Sequence, residues 1–144
     1  MNQSSIIFPV IALVFLTFGI GLWLGFLRFA SVTRGDLSPK YFKLNQGGKL
    51  PDYLAKVNNN YDNLLAVPVI FYVLCILLFV TAKVEPAQLI LAWIFVGARY
   101  IHSFIHTVSN RLMHRMRVFY LSTLVLIAMW ILFLIRMLQT SEIY

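Results

Sequence analysis

Arg99, His102, His106 and Asn110 stand at the end of an apolar run that begins at Pro86. Their spacing of i, i+3, i+7 and i+11 predicts one stripe along a helix. An arginine at mid-bilayer costs about 2.5–3.5 kcal/mol on insertion scales, so such residues face a bundle interior, a wet cavity or a ligand. The chemistry this offers is a grip on an anion. A guanidinium takes a carboxylate in bidentate fashion, and imidazole and amide groups add directed hydrogen bonds. Asn59, Asn60 and Asn63 form a second polar cluster, and Arg115, Arg117 and Tyr120, with Arg111 before them, form a third. His102 and His106 also have metal-ligand spacing, but no Asp, Glu or Cys lies nearby as a third ligand and the adjacent cations repel an ion. No metal is expected. Taken singly, Arg111, Arg115 and Arg117 read first as membrane-surface anchors, whereas for Arg99 a tie that holds helices in register is the lesser alternative to a ligand contact.

The elements that must position these residues follow from composition. The 144 residues are 60% hydrophobic and 12% charged, with a mean hydropathy of +0.81. These values belong to an integral membrane chain rather than a soluble domain. A helix needs about 20 apolar residues to cross the hydrocarbon, and four spans are predicted, roughly 6–27, 64–81, 87–105 and 118–138. The third spans only if it runs on through Arg99. The first has no basic segment before it and no small-x-small cleavage site, so a retained helix is expected rather than a signal peptide. The sequence has no internal repeat, and 1–144 reads as one all-α domain: a membrane four-helix bundle.

Charge predicts its orientation. The loop at 28–63 holds Arg28, Arg34, Lys40, Lys43, Lys49 and Lys56, and the third loop holds Arg111, Arg115 and Arg117, against Lys83 and Arg136 opposite. By the positive-inside rule the two basic loops are cytoplasmic and both termini lie on the non-cytoplasmic side. The formal net charge of +7 then reflects topology and anionic headgroups. No nucleic-acid partner is expected, because no basic stripe with base-stacking aromatics runs along a soluble surface.

Within the first loop, a turn-rich segment with Arg34-Gly35-Asp36, Ser38-Pro39 and Gly47-Gly48 precedes a helix start near Pro51, and Pro68 predicts a kink in the second span. Cys75, the single cysteine, reads as a small apolar core residue.

The run Asn60-Tyr61-Asp62-Asn63-Leu64-Leu65-Ala66-Val67-Pro68-Val69-Ile70-Phe71-Tyr72, then Ala98-Arg99-Tyr100-Ile101-His102-Ser103-Phe104-Ile105-His106, then Asn110 to Arg115, resembles the MAPEG family in its short bacterial branch. These are membrane-associated proteins in eicosanoid and glutathione metabolism. Tyr41-Phe42 with Gln46-Gly47-Gly48 is similar too. The resemblance implies a homotrimer in a bacterial inner membrane, with glutathione as co-substrate held between subunits near the cytoplasmic face and its thiol directed at lipophilic electrophiles. Asn59, Asn60 and Asn63 match the family's second-helix amide region, and Arg99 with His102 matches its third-helix motif, with His106 on the same stripe. Arg115 best matches the arginine that stabilises the thiolate, with Arg111 as rival, and Tyr120 falls near the aromatic position that follows.

One departure stands out. Family members carry a glutamate two residues before the second-helix proline, and here that position is Ala66. Asp62, one turn earlier, is the expected partial substitute, and the loss leaves Arg99 without its obvious counter-charge. Two function classes follow: a glutathione-dependent transferase or peroxidase-like enzyme, and a non-catalytic binder of membrane lipids or other lipophilic small molecules. A transporter subunit fits less well, since no paired broken helices occur.

Overall fold

The computed structural model describes residues 2–44 and 49–141. The Gln46-Gly47-Gly48 segment lies outside them. Among the described residues a short 3-10 turn, Gln3–Ile6, leads into α1 (Ile7–Thr33), followed by α2 (Pro39–Leu44), α3 (Asp52–Val80), α4 (Pro86–Thr107) and α5 (Leu112–Ser141). Gln3–Thr33, Asp52–Val80, Pro86–Thr107 and Leu112–Gln139 are each long and apolar enough to cross a membrane.

The long helices outrun the expected spans where the sequence offers no backbone reason to stop. Arg28 ends the first apolar run, yet α1 continues to Thr33, and Gly35 with φ +79° then turns the chain. Apolar length counts the residues that suit hydrocarbon, whereas a helix ends where its backbone is broken or capped. For the same reason α5 begins at Leu112, so Arg115 and Arg117 are helical rather than loop residues. Pro51 precedes α3 and its carbonyl accepts from the amides of Leu54 and Ala55 at 3.0 and 2.9 Å. Asp52 sits in the first turn, where its charge suits the helix dipole. The helix runs on through the buried Pro68. It closes with Ala82 at φ 55°, where the amides of Ala82 and Lys83 bond the carbonyls of Phe79 and Leu78; this is a Schellman closure in which alanine occupies the left-handed position that favours glycine.

Packing pairs α4 most extensively with α5, and α1 with α3. At the centre the Phe71 and Phe95 rings stack with centroids 4.6 Å apart, beside Leu13, Leu74, Leu78, Ala92 and Met129. Lipid is as apolar as these side chains, so helix association rests on van der Waals fit and on buried polar ties. One buried tie is the Gln88 side-chain amide, which donates to the Met129 carbonyl at 3.0 Å; on the exposed surface the Tyr100 hydroxyl donates to the Ala12 carbonyl at 2.8 Å. Cys75 is a buried free thiol in the central cluster. The outward face of α1 presents Phe8, Phe15, Phe18, Leu22, Phe26 and Phe29.

Helix direction sorts the ends. The N-terminal turn, the α3–α4 turn and the last part of α5 meet at one end, where the Val84 amide donates to Gln3 Oε1 at 2.8 Å and Arg136 pairs with Glu85 at 3.0 Å. At the other end lie α2, the start of α3, the end of α4 and the start of α5, and there the polar residues gather.

Candidate functional site

Arg99 is 1% exposed. It extends into the bundle between two aromatic rings, its guanidinium carbon 5.5 Å from the centroid of Phe95 and 5.4 Å from that of Phe119. Its Nε and Nη2 atoms, the edge that engages a carboxylate side-on, are buried and have no hydrogen-bond partner. One turn further along α4, the Ser103 hydroxyl donates to Asn60 Oδ1 at 3.2 Å, while Asn60 Nδ2 is buried and unpartnered. Asn60 is the fully buried amide of α3.

His102 and His106 follow on the buried face of α4, with ring centroids 5.6 Å apart. The stripe stops there. α4 ends at Thr107, and Asn110 takes φ 46° in the turn that follows, its amide bonded to the Ile105 carbonyl at 2.7 Å. Asparagine tolerates this left-handed geometry, so Asn110 does not continue the helical stripe that the spacing predicted. It reaches the site by another route: Arg115 Nη1 donates to Asn110 Oδ1 at 2.9 Å and lies 3.2 Å from His106 Nε2. Arginine offers only donors, so Nε2 is the acceptor and the imidazole proton sits on Nδ1, which is buried and unpartnered.

Arg115 is thereby fixed between two clefts. The first, about 200 Å³, is lined by Asn63, His102, Arg115, Met116, Phe119 and Tyr120. The second, about 230 Å³, is lined by Asp52, Lys56, Asn59, His106, Asn110 and Arg115, with Ala55 at its wall. Of the residues singled out from sequence, Asn63, His102, Tyr120 and Arg115 thus border one cleft, and Asn59, His106 and Arg115 the other. Arg99 and Asn60 lie behind them in the interior. Arg111 is exposed and borders neither cleft. Among the described residues no group of three or more His, Cys, Asp or Glu is placed to hold a metal.

The acidic side of the site differs from expectation. Ala66 is exposed on the outward side of α3, whereas Arg99 is enclosed, so position 66 does not face that guanidinium within one subunit. Asp62 is also exposed and accepts from Asn58 Nδ2 at 3.0 Å. The acid that borders a cleft is Asp52, which sequence reasoning used only as a helix-start signal. Phe119 was missed as well: its ring covers Arg99 and lies 5.9 Å from that of His102. The available signal was its place one helical turn beyond Arg115.

A bundle of four membrane-length helices with cationic and amide side chains gathered at one end defines a multi-pass membrane protein with a polar intrahelical site. The chain belongs to the MAPEG family, whose model matches residues 6–135. No curated protein and no solved structure matches it.

Proposed function

We propose that this chain is a glutathione-dependent transferase or peroxidase-like protein acting on lipophilic electrophiles, with Arg115 stabilising the glutathione thiolate. The observation that carries this reading is the position of Arg115: anchored through Nη1 by Asn110 and His106 and shared by both clefts. An ordinary thiol has a pKa near about 8.5, and lowering it by about two units takes roughly 2.7 kcal/mol, within reach of a charge-assisted hydrogen bond in a poorly hydrated cleft. The thiolate sulfur then attacks an electrophilic carbon, forming a C–S bond as the leaving group departs with its electron pair. Asn59 and Asn63 supply amide contacts, Lys56 receives a carboxylate, and Asp52 accepts the ammonium group that position 66 cannot. The protein works as a homotrimer with both termini on the non-cytoplasmic side, its clefts opening near the cytoplasmic leaflet, and takes its second substrate from the lipid phase. Glutathione titrated into the detergent-solubilised protein should raise its melting temperature saturably. Arg115→Ala should lower conjugation to an aryl halide by about tenfold or more, in line with loss of one charge-stabilising donor. Activity indifferent to that change refutes the assignment.

A second reading is favoured by one observation. A groove of about 600 Å³ between α3 and α5, lined by Val67, Ile70, Leu126, Trp130, Phe133 and their neighbours, is apolar throughout. With alanine at position 66, it suits a non-catalytic binder of a lipid or amphiphile. A lipid that survives purification, together with a melting temperature unmoved by glutathione, supports this reading against the first.

A further inference from the structure

Phe119 stands between two things that fit each other. On one side is the Arg99 guanidinium, its carbon 5.4 Å from the ring and its Nε and Nη2 buried, and one turn along α4 is Asn60 Nδ2, brought toward that helix by the bond of its own Oδ1 with Ser103. All three are buried donors without acceptors, and no ion pair of Arg99 occurs among the described residues. On the other side is the open cleft of about 200 Å³, whose wall includes Phe119 itself, His102 and Asn63. Buried donors of this kind are rare in folded proteins and call for an acceptor. Donors that include a bidentate guanidinium edge define its chemistry as a carboxylate or a similar oxyanion. Arg99 borders neither of the two clefts, so an acceptor reaches it only if its cover moves.

The cover is a single side chain. Phe119 lies on α5 one turn beyond Arg115, and its ring is only half-buried. Its contacts with the Arg99 guanidinium, His102 and Tyr120 are ring contacts at 5.4, 5.9 and 5.9 Å, with no hydrogen bond to hold it in place. A change between staggered χ1 wells moves such a ring off the guanidinium. The exchange is favourable when a carboxylate arrives, because a charge-assisted bidentate pair replaces one cation–π contact.

We propose that Phe119 is a gate over Arg99, and that its displacement presents the Nε–Nη2 edge to a carboxylate entering from the adjoining cleft. That the natural carboxylate belongs to glutathione rests on the reading above; the gate does not. The gate makes Arg99 silent toward anions until a ligand large enough to displace the ring occupies the cleft, which sets specificity by size as well as charge.

The test is arginine modification with phenylglyoxal, followed residue by residue by mass spectrometry on the solubilised full-length protein, with the exposed Arg117 as internal reference. In the wild-type protein Arg99 should react far more slowly than Arg117. In Phe119→Ala the Arg99 rate should rise by about tenfold, the order expected when one cation–π contact and its steric cover are removed, with Arg117 unchanged. Phe119→Leu keeps bulk in the bundle and removes the ring; it should give an intermediate rate at an unaltered melting temperature, separating gate opening from unfolding. Formate should then slow Arg99 modification in both variants. Protection by formate and by glutathione supports the gate and the glutathione reading together, whereas protection by formate alone upholds the gate and overturns that reading. The gate is overturned if wild-type Arg99 reacts as fast as Arg117, if both variants leave it protected, or if neither carboxylate slows the reaction once it is open.

Discussion

Replacing Arg99 by methionine should make the resting protein more stable while removing its deepest anion contact. Methionine matches the length of the arginine stem and fills irregular space without polar atoms. The substitution removes two buried donors that have no partner, each costing about 1–3 kcal/mol when left unmade. It also loses the two cation–π contacts to Phe95 and Phe119, about 0.5–1 kcal/mol each. The difference leaves a net stabilisation of about 0–5 kcal/mol, centred near the 1–4 kcal/mol found when buried charges give way to apolar residues. At roughly 2–4 °C per kcal/mol for a chain of this size, the unfolding midpoint in detergent should rise by several degrees. Equilibrium unfolding of the two proteins in the same detergent, without glutathione or added oxyanions, measures this directly. A midpoint that falls by the equivalent of about 2 kcal/mol or more means that Arg99 already has an acceptor in the resting state, and the account of an unpaired interior cation is then wrong.

Three further outcomes follow from geometry. Ala82→Gly should stabilise the turn after α3 by about 1 kcal/mol, because the left-handed position at φ 55° carries a Cβ that glycine lacks; no gain in melting temperature contradicts that closure. Gly21→Leu should cost about 1–3 kcal/mol by overpacking, since even a Cβ there meets the Tyr61 ring at 3.0 Å, and relief by Tyr61→Ala in the same background confirms the contact. Asp52→Asn should weaken glutathione binding by about tenfold, of the order of one exposed charge-assisted hydrogen bond, with little change in melting temperature; undiminished affinity removes Asp52 from the site.

The sequence carried the polar residues better than their arrangement. Long apolar runs and the excess of Lys and Arg in two loops made four membrane helices legible, because hydrocarbon imposes length and composition directly. The i, i+3, i+7 spacing correctly set Arg99, His102 and His106 on one buried face. Extrapolating to i+11 failed at Asn110, since periodicity is blind to a helix that ends at Thr107 and a left-handed residue three positions later, with no glycine to announce either. How these residues divide between two clefts was not legible. Asp52 and Asn59 are seven positions apart on α3, two helical turns, and meet His106 and Arg115 only through the packing of three helices. Phe119 carried no chemical flag, being one of 12 phenylalanines in a chain where such rings are ordinary.

The ties among Gln3, Val84, Glu85, Gln88, Met129 and Arg136 are all at or near one end of the bundle. They lace α5 to its neighbours there like a drawstring; at the opposite mouth Arg28–Asn58 and Ser103–Asn60 tie α1 to α3 and α4 to α3, while the start of α5 is hydrogen-bonded to the rest through Arg115, so that end of α5 supplies the give that a guest needs to enter. Amide hydrogen exchange in detergent should therefore grade along α5, slowest beside Met129 and fastest toward its start.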